Sequence, residues 1–339
     1  MAAKAASTLS VSERTTLEAC HNSWPLSSLP DFVKPYAELI RIHKPAGIMM
    51  FYFPCLYGTF LVGCLGHGIS LFSMVTANAK LLLLSFLMRG MLCTWNDIID
   101  QNIDRQVART RIRPLARRAI STTRAAAWTL VQTVLVLGTF LVLPQDCFLY
   151  ALPFLALHVL YPFTKRVTHH PQIVLGFAHS LGVFVSFPAL GQSIPFSLDA
   201  QYANATGAFC LSAAIVFWTL LNDTIYAAQD VDDDHKAGVG STMIYWGDAA
   251  RAFLRVLVLF QLLSLIAVLF VIKDSAPSGG MVYTALTCGG TALGLFTMVE
   301  GVDLKEPASC GWWFNRGNVL VGYGIGSGLV GEYLVGLLR

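Results

Sequence analysis

Nine apolar stretches, each about 20 residues long and bounded by charged or turn-forming residues, run through most of this chain. They lie near residues 42–63, 71–95, 124–143, 147–163, 172–190, 204–223, 250–272, 281–299 and 317–338. This length suits a helix that crosses a bilayer. The stretches are continuously apolar, whereas the strands of a membrane β-barrel alternate between apolar and polar residues. The sequence therefore predicts an all-α membrane protein with nine transmembrane helices.

Charged residues are too scarce for a soluble protein of this size. They make up 13% of the 339 residues, against roughly 25% in an average soluble domain, and 55% of the chain is hydrophobic. The mean hydropathy is +0.59. We therefore expect the lipid bilayer to surround most of the folded surface. A net charge of +3 gives no reason to expect a nucleic-acid partner, and nothing in the sequence points to an obligate protein partner.

The lysines and arginines between the apolar stretches are distributed unevenly. Loops one, three and five contain none, and loop seven contains only Lys273. Those of the even-numbered loops include Arg105, Arg109, Arg111, Arg113, Arg117, Arg118, Lys165, Arg166, Lys236, Lys305 and Arg316. Basic loops face the cytosol in membrane proteins. We therefore expect the even-numbered loops and the N-terminus on the cytosolic side.

The beginning of the chain is polar, and we interpret residues 1–35 as a cytosolic tail that precedes a membrane domain over residues 36–339. A mitochondrial presequence is rich in arginine and poor in acidic residues, whereas this tail has one arginine and three acidic residues. It also lacks the apolar core of a cleaved signal peptide. These features favour the endoplasmic reticulum membrane over the mitochondrial inner membrane.

An acidic segment follows the second apolar stretch. If the helix continues, Asp97, Asp100 and Asp104 lie on one face, with Asn96 beside them, because they are three and four residues apart. Three carboxylates on one stripe repel one another unless a cation neutralises them. The segment therefore indicates a cation site, although a solvated helix end is an equally good interpretation of one such cluster alone.

The sixth apolar stretch ends in the same way. Its polar residues are Asn222, Asp223, Tyr226, Gln229, Asp230, Asp232, Asp233 and Asp234. Asp230 and Asp234 share a helix face, and both clusters fall on the predicted cytosolic side, so we expect them to face one cavity. Carboxylate oxygens suit Mg²⁺, and the arginines at 109, 113 and 117 suit a diphosphate group, although such a run is also a common topology signal.

Two long motifs surround these clusters. The first, NDxxDxxxD continued as RxVxRTxxRPL, covers residues 96–115, and the second reads YAAQDVDDDHKAGVGST over residues 226–242. Two shorter landmarks are RIHKPAG from Arg41 and YPFTKR from Tyr161. With these motifs the sequence resembles the UbiA superfamily of intramembrane prenyltransferases from about residue 36 to 338.

The resemblance implies nine helices in a bundle around a central cavity, in which two Mg²⁺ ions bind an isoprenyl diphosphate. Ionisation of the diphosphate gives an allylic cation that alkylates an aromatic acceptor. It implies metal binding by Asn96, Asp97, Asp100, Asp104, Asp230 and Asp234. It implies substrate binding by Arg41, Arg113, Lys165, Arg166, Tyr161 and Tyr226. Asp223 is expected to orient or deprotonate the acceptor, and Asp232 and Asp233 receive no separate role.

Several residues distinguish the chain from the ubiquinone-pathway members of this superfamily. Those members usually have Asp at the position of His43 and Leu at that of His170, and their fifth span lacks the GFAHS sequence that begins at Gly176 here. The Trp312-Trp313 pair and Glu332 look more like the fungal branch that prenylates aromatic polyketides in meroterpenoid pathways. In that branch the donor is typically farnesyl diphosphate and the acceptor an orsellinic-acid-type phenolic acid.

Two alternatives remain open. The first is the mitochondrial para-hydroxybenzoate polyprenyltransferase of ubiquinone synthesis, which uses the same motifs. The second, from another functional class, is a cation-coupled transporter, since carboxylates in a membrane cavity also bind transported ions. The acidic residues here lie at the ends of the stretches on one side, whereas a transporter site is expected near the midplane.

Overall fold

The computed structural model describes residues 9–164, 166–194, 202–237 and 240–339. Its regular secondary structure within these ranges is helical. Nine helices of 18 residues or more lie in the described ranges, and we label them α1 to α9. They are α1 (Ala46–Cys64), α2 (Leu71–Asp104), α3 (Thr122–Thr139), α4 (Asp146–Thr164), α5 (Pro171–Ala189), α6 (Tyr202–Ala227), α7 (Thr242–Ile272), α8 (Met281–Gly301) and α9 (Pro307–Leu337).

The helices coincide with the nine predicted stretches, which confirms the all-α membrane architecture. Among the described residues, eight helices are long and apolar enough to cross a membrane, and these are all but α3. α3 has only 18 residues and carries Arg124 and Gln132, so its full length is less apolar than the most apolar 18-residue stretch of each other helix. α7 and α9 begin earlier than predicted, at Thr242 and Pro307.

Local sequence signals set several helix ends. The Ser70 side chain accepts a hydrogen bond from the Ser73 amide at the start of α2, and the Ser121 side chain accepts one from the Arg124 amide at the start of α3. α5 and α9 begin with a proline, which leaves no amide to satisfy at that position. These caps stabilise the helices where they leave the apolar stretches.

α1 lies inside the bundle and packs against α2, α5 and α9. Glycines of α9 allow this close approach, because a Cβ at Gly322 would lie 2.3 Å from the Phe53 ring and one at Gly326 would lie 2.8 Å from the Tyr57 ring. The Tyr57 hydroxyl donates a 2.6 Å hydrogen bond to the Gly322 carbonyl. The glycine-rich last helix therefore packs within the bundle.

The first described residues fold against the membrane domain. Val11–Asn22 forms a helix with Ser10 and Glu13 in a capping box, and Lys34–Leu39 forms a short helix before α1. Glu13 accepts a 2.9 Å hydrogen bond from Arg111 in the loop after α2. Part of the segment that we interpreted as a tail therefore contacts the arginine-rich loop.

Glu332 of α9 is fully buried and caps the beginning of α8. Its carboxylate accepts hydrogen bonds from the Ser278 amide at 3.1 Å, from the Ser278 hydroxyl, and from the Tyr283 amide at 3.2 Å. We expect Glu332→Ala to lower the free energy of unfolding by about 1–3 kcal/mol, because buried amides lose their acceptor. Thermal unfolding in detergent measures this, with exposed Glu306→Ala as the control. Equal stability of both variants would contradict this capping role.

Candidate functional site

The predicted carboxylate stripe is present at the end of α2. The helix continues through Asp104, and Asp97, Asp100 and Asp104 are 0%, 2% and 5% exposed. The residues between them are less buried than the aspartates, so the three carboxylates share the face of α2 that points into the protein. α2 therefore places three acidic groups at one end of the bundle, where the sequence predicted them.

The second cluster is built differently. α6 contains Asp223 and ends at Ala227, and Asp230 lies in the turn that follows. A short helix, Val231–Ala237, then carries Asp232, Asp233 and Asp234. The Asp234 amide donates a 2.8 Å hydrogen bond to the Asp230 carbonyl. This helical bond keeps Asp230 and Asp234 one turn apart.

The two clusters meet at a cavity of about 120 Å³. Its lining includes the predicted residues Asp100, Asp104, Arg113, Tyr161, Asp223, Tyr226, Asp230 and Asp234, together with Arg109, Gln172 and Thr242. Five of the long helices (α2, α4, α5, α6 and α7) supply part of these side chains, and the segments after α2 and α6 supply Arg109, Arg113, Asp230 and Asp234. The expectation that both acidic segments face one cavity agrees with this geometry.

Arginines pair with the carboxylates of the first cluster. Arg113 donates to both oxygens of Asp104 at 2.9 Å and to Asp97 Oδ1 at 3.4 Å. Arg41 donates to Asp97 Oδ1 at 2.6 Å. Burial alone would lower the pKa of the Arg113 guanidinium, but Asp104 and Asp97 outweigh burial and raise the pKa. Arg113 therefore remains charged at this end of the bundle.

Arg109 and Asp233 connect the loop after α2 to the second cluster. The Arg109 Nε donates to the two Asp230 oxygens at 2.9 and 3.0 Å, and its guanidinium also donates to the Tyr226 hydroxyl. The guanidinium carbon lies 4.5 Å from the centre of the Tyr226 ring. Asp233 accepts a 2.9 Å hydrogen bond from the Ala108 amide. These contacts hold the two acidic segments together across the cavity.

The donor set fits a hard divalent cation. Asp97 Oδ2 is buried and has no hydrogen-bond partner in the described part of the chain. In that same part, no three His, Cys, Asp or Glu side chains are arranged to hold one metal ion together. Asp97, Asp104 and Asp230 are instead paired with arginines. Oxygen donors in this number suit Mg²⁺, with water or substrate completing its coordination.

Some predicted site residues lie elsewhere. Lys165 falls outside the described residues. Arg166 is exposed and donates a 2.9 Å hydrogen bond to the Ile99 carbonyl on α2. Asn96 is half-buried beside Asp97 and does not line the cavity. The cavity wall contains the other predicted aspartates, both tyrosines and Arg113. Asp97 and Arg41 lie behind the wall, where Arg113 and Arg41 both donate to Asp97, and Arg166 and Asn96 do not line the cavity.

His43 precedes α1 near Arg41. Burial, with smaller effects from Lys44 and Arg41, lowers the pKa of His43 to about 4. The imidazole is therefore neutral at physiological pH. At this position an uncharged side chain lies beside the arginine that contacts Asp97.

Two further residues escaped the sequence-based assignment. Asn222 at the end of α6 is 1% exposed, and neither atom of its amide has a hydrogen-bond partner among the described residues. Arg89 is buried in α2 and donates to the carbonyls of Ile40, Arg41 and Lys44 at 3.4, 3.1 and 2.9 Å. An arginine inside an apolar span is itself a functional signal.

Arg89 positions the segment that carries Arg41. Arg41 has a φ of 57°, in the left-handed region that non-glycine residues rarely adopt. The Arg89 guanidinium fills the space beside Gly47, where a Cβ would lie 2.5 Å from Nη2. The turn before α1 is therefore held by three hydrogen bonds from one side chain on α2.

We expect Arg89→Met to lower turnover by roughly 10-fold or more, because three carbonyls lose their donor and Arg41 is no longer held against Asp97. Arg89→Lys is expected to restore little, since one ammonium cannot reproduce the planar fork of guanidinium donors. Steady-state kinetics and thermal unfolding measure both effects. Lys80→Met, at an exposed position of the same helix, is the control. Normal turnover of Arg89→Met would exclude this positioning role.

Known proteins resemble this chain over most of its length. Residues 50–320 match the UbiA prenyltransferase family. The chain is 31% identical to the mitochondrial 4-hydroxybenzoate polyprenyltransferase of Saccharomyces cerevisiae, over 92% of this chain and 80% of that protein. It is 32% identical to prenyltransferase stbC of Stachybotrys bisbyi, over 89% and 90% respectively.

A solved structure has a similar fold. A UbiA homologue from Archaeoglobus fulgidus, bound to GPP and Mg²⁺, superimposes with a TM-score of 0.62 at 18% identity. The match covers 88% of this chain and 99% of that one. At this identity the likeness concerns the arrangement of the helices.

Proposed function

The chain belongs to the UbiA prenyltransferase family and is an aromatic prenyltransferase, and we propose that it transfers a farnesyl group from farnesyl diphosphate to an orsellinic-acid-type phenolic acid in meroterpenoid biosynthesis. The observation that carries this proposal is the cavity at which the acidic ends of α2 and α6 meet arginines. The family membership argues against a cation-coupled transporter. The position of the acidic residues, at helix ends on one side of the bundle, agrees with a prenyltransferase.

We propose that Mg²⁺ is the cofactor. Asp97 and Asp100, with Asn96 and Asp104, would hold one ion, and Asp230 and Asp234 would hold the second. The buried Asp97 Oδ2 and the all-oxygen donor set support this assignment. When bound, the metal neutralises the diphosphate and makes it a better leaving group.

The chain's own cations have a related role. Arg109 and Arg113 line the cavity, and Arg41 lies directly behind Asp97, so three guanidinium groups surround the proposed diphosphate position. A guanidinium can bind phosphate oxygens through two donors at once. In a site sheltered from water, such donors stabilise the charge that develops on a leaving group. Arg166 is not part of this proposal, because its guanidinium contacts the Ile99 carbonyl.

The remaining cavity residues suit the organic half of the reaction. The rings of Tyr161 and Tyr226 line the cavity and can face an allylic cation. We propose that Asp223 orients the aromatic acceptor, since it lies on the α6 side of the same cavity. The apolar interior of the bundle would hold the isoprenyl chain and keep water from the cation.

The second candidate is a para-hydroxybenzoate polyprenyltransferase of the mitochondrial inner membrane. The similarity to the yeast mitochondrial protein over 92% of this chain favours it. We propose the endoplasmic reticulum membrane instead. Microscopy of a fluorescent fusion separates the two, because a mitochondrial signal would support the second candidate.

One experiment tests the activity directly. Membranes containing the protein are incubated with Mg²⁺, labelled farnesyl or geranylgeranyl diphosphate, and a panel of phenolic acids that includes orsellinic acid and 4-hydroxybenzoate. Mass spectrometry identifies the products. Farnesylated orsellinic acid is the expected product, and transfer only to 4-hydroxybenzoate would overturn the acceptor assignment.

A further inference from the structure

Two histidines face each other inside the bundle, away from the aspartates. His158 of α4 and His179 of α5 are 6% and 5% exposed, and their ring centres are 5.2 Å apart. The Phe51 ring lies 5.1 Å from His158 and 5.2 Å from His179, and the Phe154 ring lies 4.2 Å from His158. Two polar imidazole rings therefore lie buried against the rings of two phenylalanines.

The contacts of His158 define its hydrogen-bonding capacity. Its Nδ1 lies 2.9 Å from the Phe154 carbonyl, which can only accept a hydrogen bond, so we assign the ring proton to Nδ1. Nε2 of the neutral ring then carries a lone pair. This buried nitrogen has no hydrogen-bond partner among the described residues. A buried acceptor without a donor is destabilising, so in the folded protein such an atom is expected to meet a donor from a bound water or a ligand.

His179 adds a second polar position. Its Nδ1 is also buried and has no hydrogen-bond partner in the described ranges. A neutral imidazole presents one donor and one acceptor, and no contact in those ranges fixes which His179 nitrogen is which. The pair therefore offers one defined acceptor on His158 and one adaptable group on His179.

Both histidines lie deeper in the bundle than the cavity, and neither is part of its lining. His158 is three residues before Tyr161 in α4, about 4.5 Å along the helix axis, and His179 is seven residues after Gln172 in α5, about 10 Å along its axis. Tyr161 and Gln172 both line the cavity. An aromatic acceptor that extends from the cavity toward the interior of the bundle would therefore approach the histidines.

We propose that His158 and His179 form a phenol-binding site, in which His158 Nε2 accepts a hydrogen bond from a ring hydroxyl of the aromatic acceptor. The inference rests on the proposed function, because it assigns part of the same substrate. An isoprenyl chain has no donor to offer, so the nitrogen selects the phenol. A hydroxyl that donates to a lone pair gives more electron density to its ring, which favours attack on an allylic cation.

The test compares orsellinic acid with its mono-O-methyl ethers, which lack one hydroxyl donor each. We expect the wild-type protein to prefer orsellinic acid over one ether by roughly 10- to 100-fold in kcat/KM, because its lone pair accepts from the hydroxyl. His158→Phe should lose this preference and retain its affinity for farnesyl diphosphate. His158→Gln, whose amide oxygen can also accept, should restore part of it. His67→Phe, in the loop at the other end of α1, should keep the wild-type preference.

The outcomes separate the two proposals. Wild-type protein that prenylates no phenolic acid would contradict the proposed function, and the histidine site would then be tested by tryptophan-fluorescence titration with the same acids. An unchanged hydroxyl preference in His158→Phe would overturn the inference alone. Equal use of orsellinic acid and both ethers by the wild-type protein would also overturn it.

Discussion

Asp97→Asn and Asp230→Asn are each expected to abolish prenyl transfer, with turnover reduced at least about 100-fold. Each substitution keeps the shape of the side chain and removes one negative charge, from the cavity wall at Asp230 and from directly behind the Arg113 side chain at Asp97. Asp97 contributes the buried Oδ2 atom, and Asp230 lies across the cavity in contact with Arg109. Loss of either charge leaves an arginine without its partner and weakens the proposed cation site. Product formation at increasing Mg²⁺ concentration measures the effect.

The controls separate lost chemistry from lost folding. Asp31→Asn removes an aspartate that is 93% exposed and should retain full turnover. Thermal unfolding should show that both cavity variants remain folded. Treatment of the wild-type protein with EDTA should also stop the reaction, and added Mg²⁺ should restore it. Near-normal turnover in either cavity variant would remove that aspartate from the proposed site.

The fold was predictable from sequence because its main determinant is local. An apolar run of about 20 residues that must satisfy its own backbone in lipid becomes a helix, whatever its neighbours are. Only the ends differ, as at Thr242 and Pro307, where additional helical turns extend α7 and α9. The acidic stripe of α2 was predictable for the same reason, since helical spacing alone puts Asp97 and Asp104 on one face.

The pairing within the site was not predictable in this way. Arg41 contacts Asp97 over 56 positions and Arg109 contacts Asp230 over 121 positions, so both contacts depend on how the helices pack. Arg166 follows a motif position that the resemblance assigns to substrate, yet its side chain turns to the Ile99 carbonyl. Residue type and spacing indicate chemistry, whereas the direction of a loop side chain depends on the tertiary structure.

The N-terminal segment shows the same limit. Its polar composition is typical of a tail, but Glu13 forms an ion pair with Arg111 of the arginine-rich loop. Glu38, just after this segment, forms one with Arg117 of the same loop. A short polar helix that contacts its neighbours through one or two ion pairs cannot be distinguished by sequence from a short helix exposed to solvent.

Arg117→Leu is expected to lower the free energy of unfolding by about 3–5 kcal/mol, because it breaks a buried ion pair and leaves Glu38 charged. The two terminal nitrogens of Arg117, Nη1 and Nη2, each donate to Glu38 at 2.8 Å. Arg117 is 6% exposed and Glu38 is 4% exposed. His21 Nε2 lies 2.8 Å from the same carboxylate. The pair ties the loop that carries Arg109 and Arg113 to the segment before α1. The free energy of unfolding in mixed micelles and the turnover should therefore decline together.

Replacing both partners tests whether the loss comes from the uncompensated charge. The double variant Arg117→Leu/Glu38→Leu should be more stable than Arg117→Leu, since no buried charge remains without a partner. If the single and the double variant lose the same amount of stability, the effect comes from lost packing and not from the unpaired charge.

Burial alone would raise the pKa of Glu38, but hydrogen bonds from His21 and Arg117 outweigh it and lower the pKa. The pair therefore stabilises the wild-type protein above the pKa of glutamate in the unfolded chain. This stabilisation is lost as the pH falls through the lower pKa of the folded state, and the double variant should lack that loss.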